Sequence, residues 1–337
     1  MTDEHNLLPL DDAILRAGHA ADQAAARHRF DDYRARLADH TLRRHEADLA
    51  LLGEFLHNLG IEVGDLPRDP AAWRGLTWGL VEAFVRWLLQ RGYAVSSVNI
   101  RLSTVKTYAR LAAQAGMLSP EAFALIRTVS GFRPREIPRI DQRRPRSRVG
   151  AKKASPVMLS AAQAAALKQQ PNTPQGRRDT VLVCLLLDHG LRVGELAGLA
   201  VEDFDLSAGI FHFHRPKVNK TQTHRLSADA LHALQAYAAQ GDLPPTGLLL
   251  RRSYKDDSLG SAGMSDRAIT QRVRTLGEQI GVAGLSAHDC RHYWATAAAR
   301  AGVDPFRLQQ AGGWASLNMP ARYIAENEIA NDGINLD

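Results

Sequence analysis

Between Arg133 and Lys153 the chain sets nine cations, Arg133, Arg135, Arg139, Arg143, Arg144, Arg146, Arg148, Lys152 and Lys153, against two carboxylates, Glu136 and Asp141. Pro134, Pro138 and Pro145 lie in the same stretch. A self-repelling segment with three prolines is a poor helix interior and a poor central strand, so it is read as an extended linker and domain boundary. The chain on each side must then bury its own core, and 337 residues suffice for about two domains.

The side before the linker is patterned as helices. Leu42, Leu49, Leu52, Phe55, Leu56 and Leu59 recur at helical spacing up to Gly60. Thr77 is placed to cap a second helix with Leu80, Val81, Phe84, Val85, Leu88 and Leu89 on its apolar face. Ser96 or Ser97 is read as the start of a third, and Ser119-Pro120-Glu121 opens a fourth. An alanine-rich, weakly amphipathic helix over Asp11–Asp39 reads as an N-terminal arm, residues 1–40.

The side after the linker is mixed. Helical patterns run over Leu159–Gln169, Gly176–His189 and Val193–Leu199, and again at Ala228–Gln240, Ser265–Ile280, His288–Ala301, Pro305–Ala311 and Asn318–Glu328. Ile210-Phe-His-Phe-His214 alternates with period two, a strand signature. Lys217–Thr223 is expected as a turn, His224–Ser227 as the return strand and Asp242–Gly263 as a loop.

Charge sharpens the functional question. The linker carries +7 and the whole chain +6, so the remainder sums to −1. One concentrated basic segment on a near-neutral protein suits a polyanion, because each phosphate contact releases counterions. Arg143, Arg144, Arg146, Arg148, Lys152 and Lys153 are the expected phosphate contacts; a merely solvated linker is the plainer alternative. The chain has no apolar run near the 20 residues of a membrane span and no basic-then-apolar start of a secretory signal. Its two cysteines, Cys184 and Cys290, form no CxxC pair. A reducing cytoplasm is the expected compartment.

Two arginines stand among apolar helical stretches: Arg192 in Gly190-Leu-Arg-Val-Gly-Glu-Leu and Arg291 in Ala287-His-Asp-Cys-Arg-His. Each has a local ion-pair explanation, Glu195 for Arg192 and Asp289 for Arg291. The alternative is a pair of guanidinium forks gripping one phosphate. His288 shares a helix face with Arg291 and can move a proton near neutral pH. His288 and His292 have a metal-ligand spacing, but the glutamate of HExxH is missing, so no metal is expected. Tyr323 gains interest only beside the arginines, because a phenol oxygen can attack phosphorus.

Taken in order, Arg192, Lys220, His288-x-x-Arg291, Trp314 and Tyr323 resemble the tyrosine recombinase (phage integrase) family. The segments that carry the resemblance are Gly190–Leu196, Lys220-Thr-Gln-Thr-His-Arg-Leu, Ala287–His292 and Gly313-Trp-Ala-Ser through Ala-Arg-Tyr323. It covers about Pro156–Glu328 closely and Thr41–Val129 loosely. Trp314 departs from the family's usual histidine; an indole N–H can donate but not titrate. Lys217 rivals Lys220, and the five-residue step to Arg225 favours Lys220.

The resemblance implies a mostly helical α+β chain. A helical core-binding domain of the SAM-like kind spans 41–132, a linker 133–155, a mixed α/β catalytic domain with a small antiparallel sheet 156–328, and a tail 329–337. It implies two domains closing around duplex DNA and a homotetramer that exchanges strands through a Holliday junction, with no cofactor and no metal. Arg192, Arg291 and Trp314 would hold the non-bridging oxygens. Lys220 would protonate the leaving 5′ oxygen, His288 would help deprotonate Tyr323, and Tyr323 would be the nucleophile. The rivals are a type IB topoisomerase-like enzyme and a catalytically silent DNA-binding protein on the same fold. The DNA site, the host element and any accessory proteins are not legible.

Overall fold

The apolar spacing of the first half becomes helices packed on the faces it predicts. The computed structural model describes residues 10–144 and 156–325, and the chain divides into two compact units, Met1–Lys152 and Lys153–Asp337. In the first unit the helices are α1 Leu10–Arg27, α2 Arg29–Ala35, α3 Asp39–His57, α4 Trp78–Gln90, α5 Val95–Gln114, α6 Pro120–Thr128 and α7 Ile137–Gln142. Leu49, Leu52 and Phe55 of α3 share a core with Val81, Phe84 and Leu88 of α4 and with Leu102, Val105 and Tyr108 of α5. The Thr77 and Ser119 hydroxyls accept from Leu80 N and Ala122 N, at 3.4 and 3.1 Å. Each such cap is worth about 1 kcal/mol.

Three expectations are corrected in this unit. The Asp11–Asp39 helix is two helices, and only α1 is exposed along its length. α2 buries Phe30 edge-on against Tyr108, so this half of the expected arm belongs to the core. α5 begins at Val95 on Ala94, ahead of both serines, with no side-chain cap. The linker is not extended throughout: α7 forms inside it, because Pro138 falls in a first turn, where the missing N–H has no intrahelical partner to lose.

The second unit contains α8 Ala161–Lys168, α9 Pro174–His189, α10 Val193–Ala197, strands β1 Phe204–Asp205, β2 Ile210–Arg215 and β3 Lys220–Arg225, and α11 Ala228–Ala239. Strands β4 Arg251–Ser253 and β5 Leu259–Gly263 follow, then α12 Asp266–Gln279, α13 Ala287–Arg300, α14 Pro305–Gly312 and α15 Asn318–Ala325. The run Val181–Leu187 is buried on every side, so α9 is the central helix of this core. β1, β2 and β3 form an antiparallel sheet in that order.

Two further corrections concern strands. β3 starts at Lys220, so most of the expected turn is strand: Thr221 and Thr223 suit a pleated edge, and Asn219 in the left-handed region closes the hairpin. The expected loop Asp242–Gly263 contains the β4–β5 hairpin. Its Gly-Ser-Ala-Gly strand has little strand propensity, and close packing requires glycine at its end. A Cβ on Gly263 would lie 2.2 Å from the Leu248 side chain.

Candidate active site

α9 ends at Gly190 in the left-handed conformation, and the chain turns at once into α10. Arg192 is the N-cap of α10, and Glu195, three residues on, folds back over it. Glu195 Oε2 accepts from Arg192 N at 2.9 Å and Oε1 from the Arg192 guanidinium at 2.6 Å. The pair is therefore the ion pair that the sequence offered as the plainer alternative. It is also more, because Arg192 keeps 28% of its side chain exposed and its second nitrogen donates to Gly313 O at 3.2 Å.

Arg291 is almost wholly buried on the first turns of α13, and Asp289 is not its partner. Asp289 instead closes a capping box with Ser286 and accepts from Val157 N at 2.9 Å. Arg291 donates to Gly190 O and Gly312 O. The two site arginines thus rest on the adjacent carbonyls of Gly312 and Gly313. Gly313 takes φ +59° as the C-cap of α14, and a Cβ there would sit 2.4 Å from Arg215 Cδ. Burial pushes Arg291 down to about 9, with the charges of Arg192 and Arg215 adding to the effect and Glu195 opposing it.

Arg215 was missed by sequence reasoning. It is fully buried at the end of β2, donates to both Glu195 oxygens at 3.0 and 2.9 Å, and reaches Ala311 O at 2.6 Å and Gln222. The signal was available: period two places Arg215 on the inward face with Phe211 and Phe213. Arg192 and Arg215 flank the Glu195 carboxylate and Arg291 feels its charge, so three guanidiniums share one carboxylate, an excess of two positive charges. Burying such an excess is costly unless an anion completes it.

Trp314 follows the two glycines. Its ring lies 4.6 Å from the Arg291 guanidinium carbon, stacks on Trp294 at 6.0 Å and meets Tyr323 at 5.8 Å. Lys220 pairs with Arg215 across the hairpin, so its exposed side chain leaves on the same face of the sheet.

The tyrosine is 2% exposed on α15, and its hydroxyl lies 3.0 Å from His292 Nδ1. His288 meets His292 edge to face at 4.6 Å. The expected partner of the phenol was His288; the imidazole hydrogen-bonded to it is His292. His288 is exposed, and its pKa is held below the ordinary value by desolvation first, then by Arg291 and Arg192.

Of the expected linker contacts, Arg143 is exposed just after α7. Arg144 is a correction: its side chain is 8% exposed, donates to Tyr93 O at 2.7 Å and pairs with Asp141 at 2.5 Å, so it pins the end of α7 to the α4–α5 turn. Arg146, Arg148, Lys152 and Lys153 lie outside the described residues. Among the described residues no helix is long and apolar enough to cross a membrane.

A mixed helical and antiparallel unit, with two arginines on neighbouring carbonyls and a buried tyrosine beside them, defines an arginine–tyrosine site. The phage integrase family model matches residues 158–329, and the chain belongs to that family. It is 27% identical over 293 residues to the tyrosine recombinase XerC of Pelobacter propionicus, covering 85% of each chain. It is 24% identical over 295 residues to the tyrosine recombinase XerD of Pseudomonas aeruginosa, covering 85% of this chain and 87% of the relative. Two solved structures share the fold. One is the Tn1549 transposon integrase in complex with circular intermediate DNA (TM-score 0.62, 15% identity, 92% of this chain and 97% of that one). The other is a lambda integrase dimer bound to a COC′ core site (TM-score 0.60, 14% identity, 93% and 99%).

Proposed function

We propose that this protein is a site-specific DNA recombinase that cuts and rejoins duplex DNA through a covalent 3′-phosphotyrosyl bond to Tyr323 and a Holliday junction. The observation that carries the reading is the excess positive charge between Arg192, Arg215 and Arg291, held on the Gly312 and Gly313 carbonyls beside the tyrosine. A phosphodiester supplies the missing anion. Arg192 and Arg291 bind its non-bridging oxygens as bidentate donors, and their grip strengthens as charge builds on pentacoordinate phosphorus. Arg215 and Glu195 do not meet the substrate; they hold Arg192 in place. The Trp314 ring packs under the Arg291 guanidinium and beside the phenol. Lys220 donates a proton to the departing 5′ oxygen. The phosphotyrosyl bond conserves the energy of the broken phosphodiester for religation.

Strand exchange between two sites requires four protomers, and this reading takes the working form to be a homotetramer on double-stranded DNA. The Tn1549 and lambda integrases, both solved with DNA, support DNA as the partner. The expected phosphate contacts of the linker, Arg143, Arg146, Arg148, Lys152 and Lys153, belong to the same reading.

The test is a nicked suicide duplex carrying the site that the full chain selects from random-sequence DNA. The wild type is expected to form a covalent adduct stable to denaturing electrophoresis. Tyr323→Phe is expected to bind the duplex with unchanged affinity and form no adduct. Adduct formation by Tyr323→Phe would exclude this nucleophile.

A further inference from the structure

The proposed chemistry needs somewhere for the Tyr323 proton to go, and the group touching the phenol oxygen is not one that the family resemblance picked out. His292 lies one residue beyond Arg291 on α13, and its Nδ1 is 3.0 Å from Tyr323 Oη, within hydrogen-bond reach. The two rings meet at 5.3 Å and 66°, which fixes the phenol on two sides together with Trp314. His288 sits edge-on against the far side of His292, one helical turn back. The order in space is therefore His288, His292, Tyr323.

We infer that His292 is the proton acceptor for the nucleophile. In its neutral form with Nδ1 unprotonated, His292 accepts the phenol O–H. As the Tyr323 Oη–phosphorus bond forms, that proton passes to Nδ1. As the phosphorus–O5′ bond breaks, Lys220 Nζ gives a proton to O5′. One proton is taken up and one released, so the step balances on the chain's own groups, and religation reverses both transfers. His288, in van der Waals contact with the ring but not with the phenol, is a positioning residue that stops His292 from tilting away.

Charged and titratable groups approach the His292–Tyr323 pair from several elements. Arg291 neighbours His292 on α13, Arg192 reaches the same region from α10, and Arg322 precedes Tyr323 on α15. Asp289 faces Ser286 and Val157, and His189 of α9 faces Ser227.

This inference rests on the proposed recombinase reading, and the experiment separates the two. Single-turnover adduct formation is followed on the nicked, selected duplex from pH 5.5 to 9 with the full chain. If the wild type forms no adduct, the recombinase reading falls. If it does, His292→Ala and His292→Asn are expected to bind DNA normally and to lose about 100-fold in rate at pH 7. Asn keeps an acceptor near the Nδ1 position but cannot carry a proton, so it should be as slow as Ala. Both variants should speed up about tenfold per pH unit, and imidazole should partly rescue Ala. Retention of wild-type rate by His292→Asn, or a loss independent of pH, overturns proton transfer to His292. A readout that needs no His292 variant is the histidine ring NMR of the full chain. Tyr323→Phe should displace the His292 ring signals and shift their midpoint; unchanged signals overturn the contact.

Discussion

The two units spend charge in opposite ways. Among the described residues of the first unit, the buried carboxylate is Asp48, bonded to Thr104 and reached by Arg44 and Arg101, whose side chains stay partly in water. Its core is otherwise apolar and includes an aromatic cluster in which Tyr108 receives Phe30, Tyr33, His45 and Trp73. Among the described residues the second unit buries Arg178, Asp179, Glu195, Arg215, Asp242, Asp289 and Arg291. Two of these carboxylates each gather two arginines. Asp179 holds Arg178 and Arg272, and Arg178 also donates to Arg251 O at 2.5 Å and to Met264 Sδ at 2.9 Å, a structural knot. Glu195 holds Arg192 and Arg215 but leaves Arg192 open to solvent. What separates charge that supports a fold from charge kept for a ligand is the balance around each carboxylate: Arg272 and Arg192 are exposed to similar degrees, 24% and 28%, but the Glu195 site adds a third arginine, Arg291, held on carbonyls and not on a carboxylate.

That contrast predicts where a single substitution hurts most. Arg215→Ala leaves Glu195 buried with half its partners, and breaking such a pair costs about 3–5 kcal/mol. Hydrogen exchange of the full chain should show the loss in α10, β2 and β3, while α3, α4 and α5 keep their protection. A cost below about 1 kcal/mol would mean that Arg215 is not the support of Arg192. Replacement by Lys keeps a charge but not the planar fork, and should recover only part of the loss.

Acid should divide the units next. His189 of α9 packs against Phe211 of β2, His224 lies on β3, and both have pKa values pushed down to about 4, in each case first by burial. In the unfolded chain each returns to the ordinary histidine value of about 6.5. Between those limits the unfolded state binds more protons, so stability is full above about pH 6.5 and falls as the pH drops toward 4. For His189 alone the loss is about 3 kcal/mol. Urea melts of the full chain from pH 7 to 4.5, read by hydrogen exchange in the second unit, check this. His189→Gln should flatten the slope, and an unchanged slope would exclude His189 as its source.

Legibility in the sequence follows the same division. The first unit was readable because its helices bury one face each, and spacing alone reports that face: Leu49, Leu52, Val81 and Phe84 are where periodicity put them. What failed there was local, such as a helix starting on Ala94 without a capping side chain. In the second unit the identities of Arg192, Arg291, Lys220 and Tyr323 came from ordered motifs, but their partners did not. Arg291 rests on two backbone carbonyls, and no sequence pattern advertises a carbonyl. Arg215 hid in plain alternation, because a cation at the end of an apolar row reads as a strand terminus. His292 was weighed as a metal ligand because only helix spacing was visible, whereas its partner Tyr323 is 31 residues away. The β4–β5 hairpin was invisible because its Gly-Ser-Ala-Gly strand carries little strand propensity and no alternation of large apolar residues.

The smallest expected effect tests the comparison at its other end. Glu82 and Arg86 of α4 form an ion pair at 3.0 Å with i, i+4 spacing, their side chains 37% and 74% exposed. Glu195 and Arg215 form one at almost the same distance with both side chains buried. Geometry alone would rank them equal. In water the Coulomb gain is screened and two long side chains must be ordered, so the α4 pair should couple by about 0.3–0.5 kcal/mol. A double-mutant cycle on Glu82→Ala and Arg86→Ala should give that value at low salt and nearly nothing at about 1 M salt, where screening acts within a few ångströms. The corresponding cycle on Glu195→Gln and Arg215→Met should give a coupling several times larger and almost indifferent to salt. Equal couplings for the two pairs would remove burial as the quantity that separates the units, and with it the reason for reading the excess of arginine around Glu195 as a ligand site.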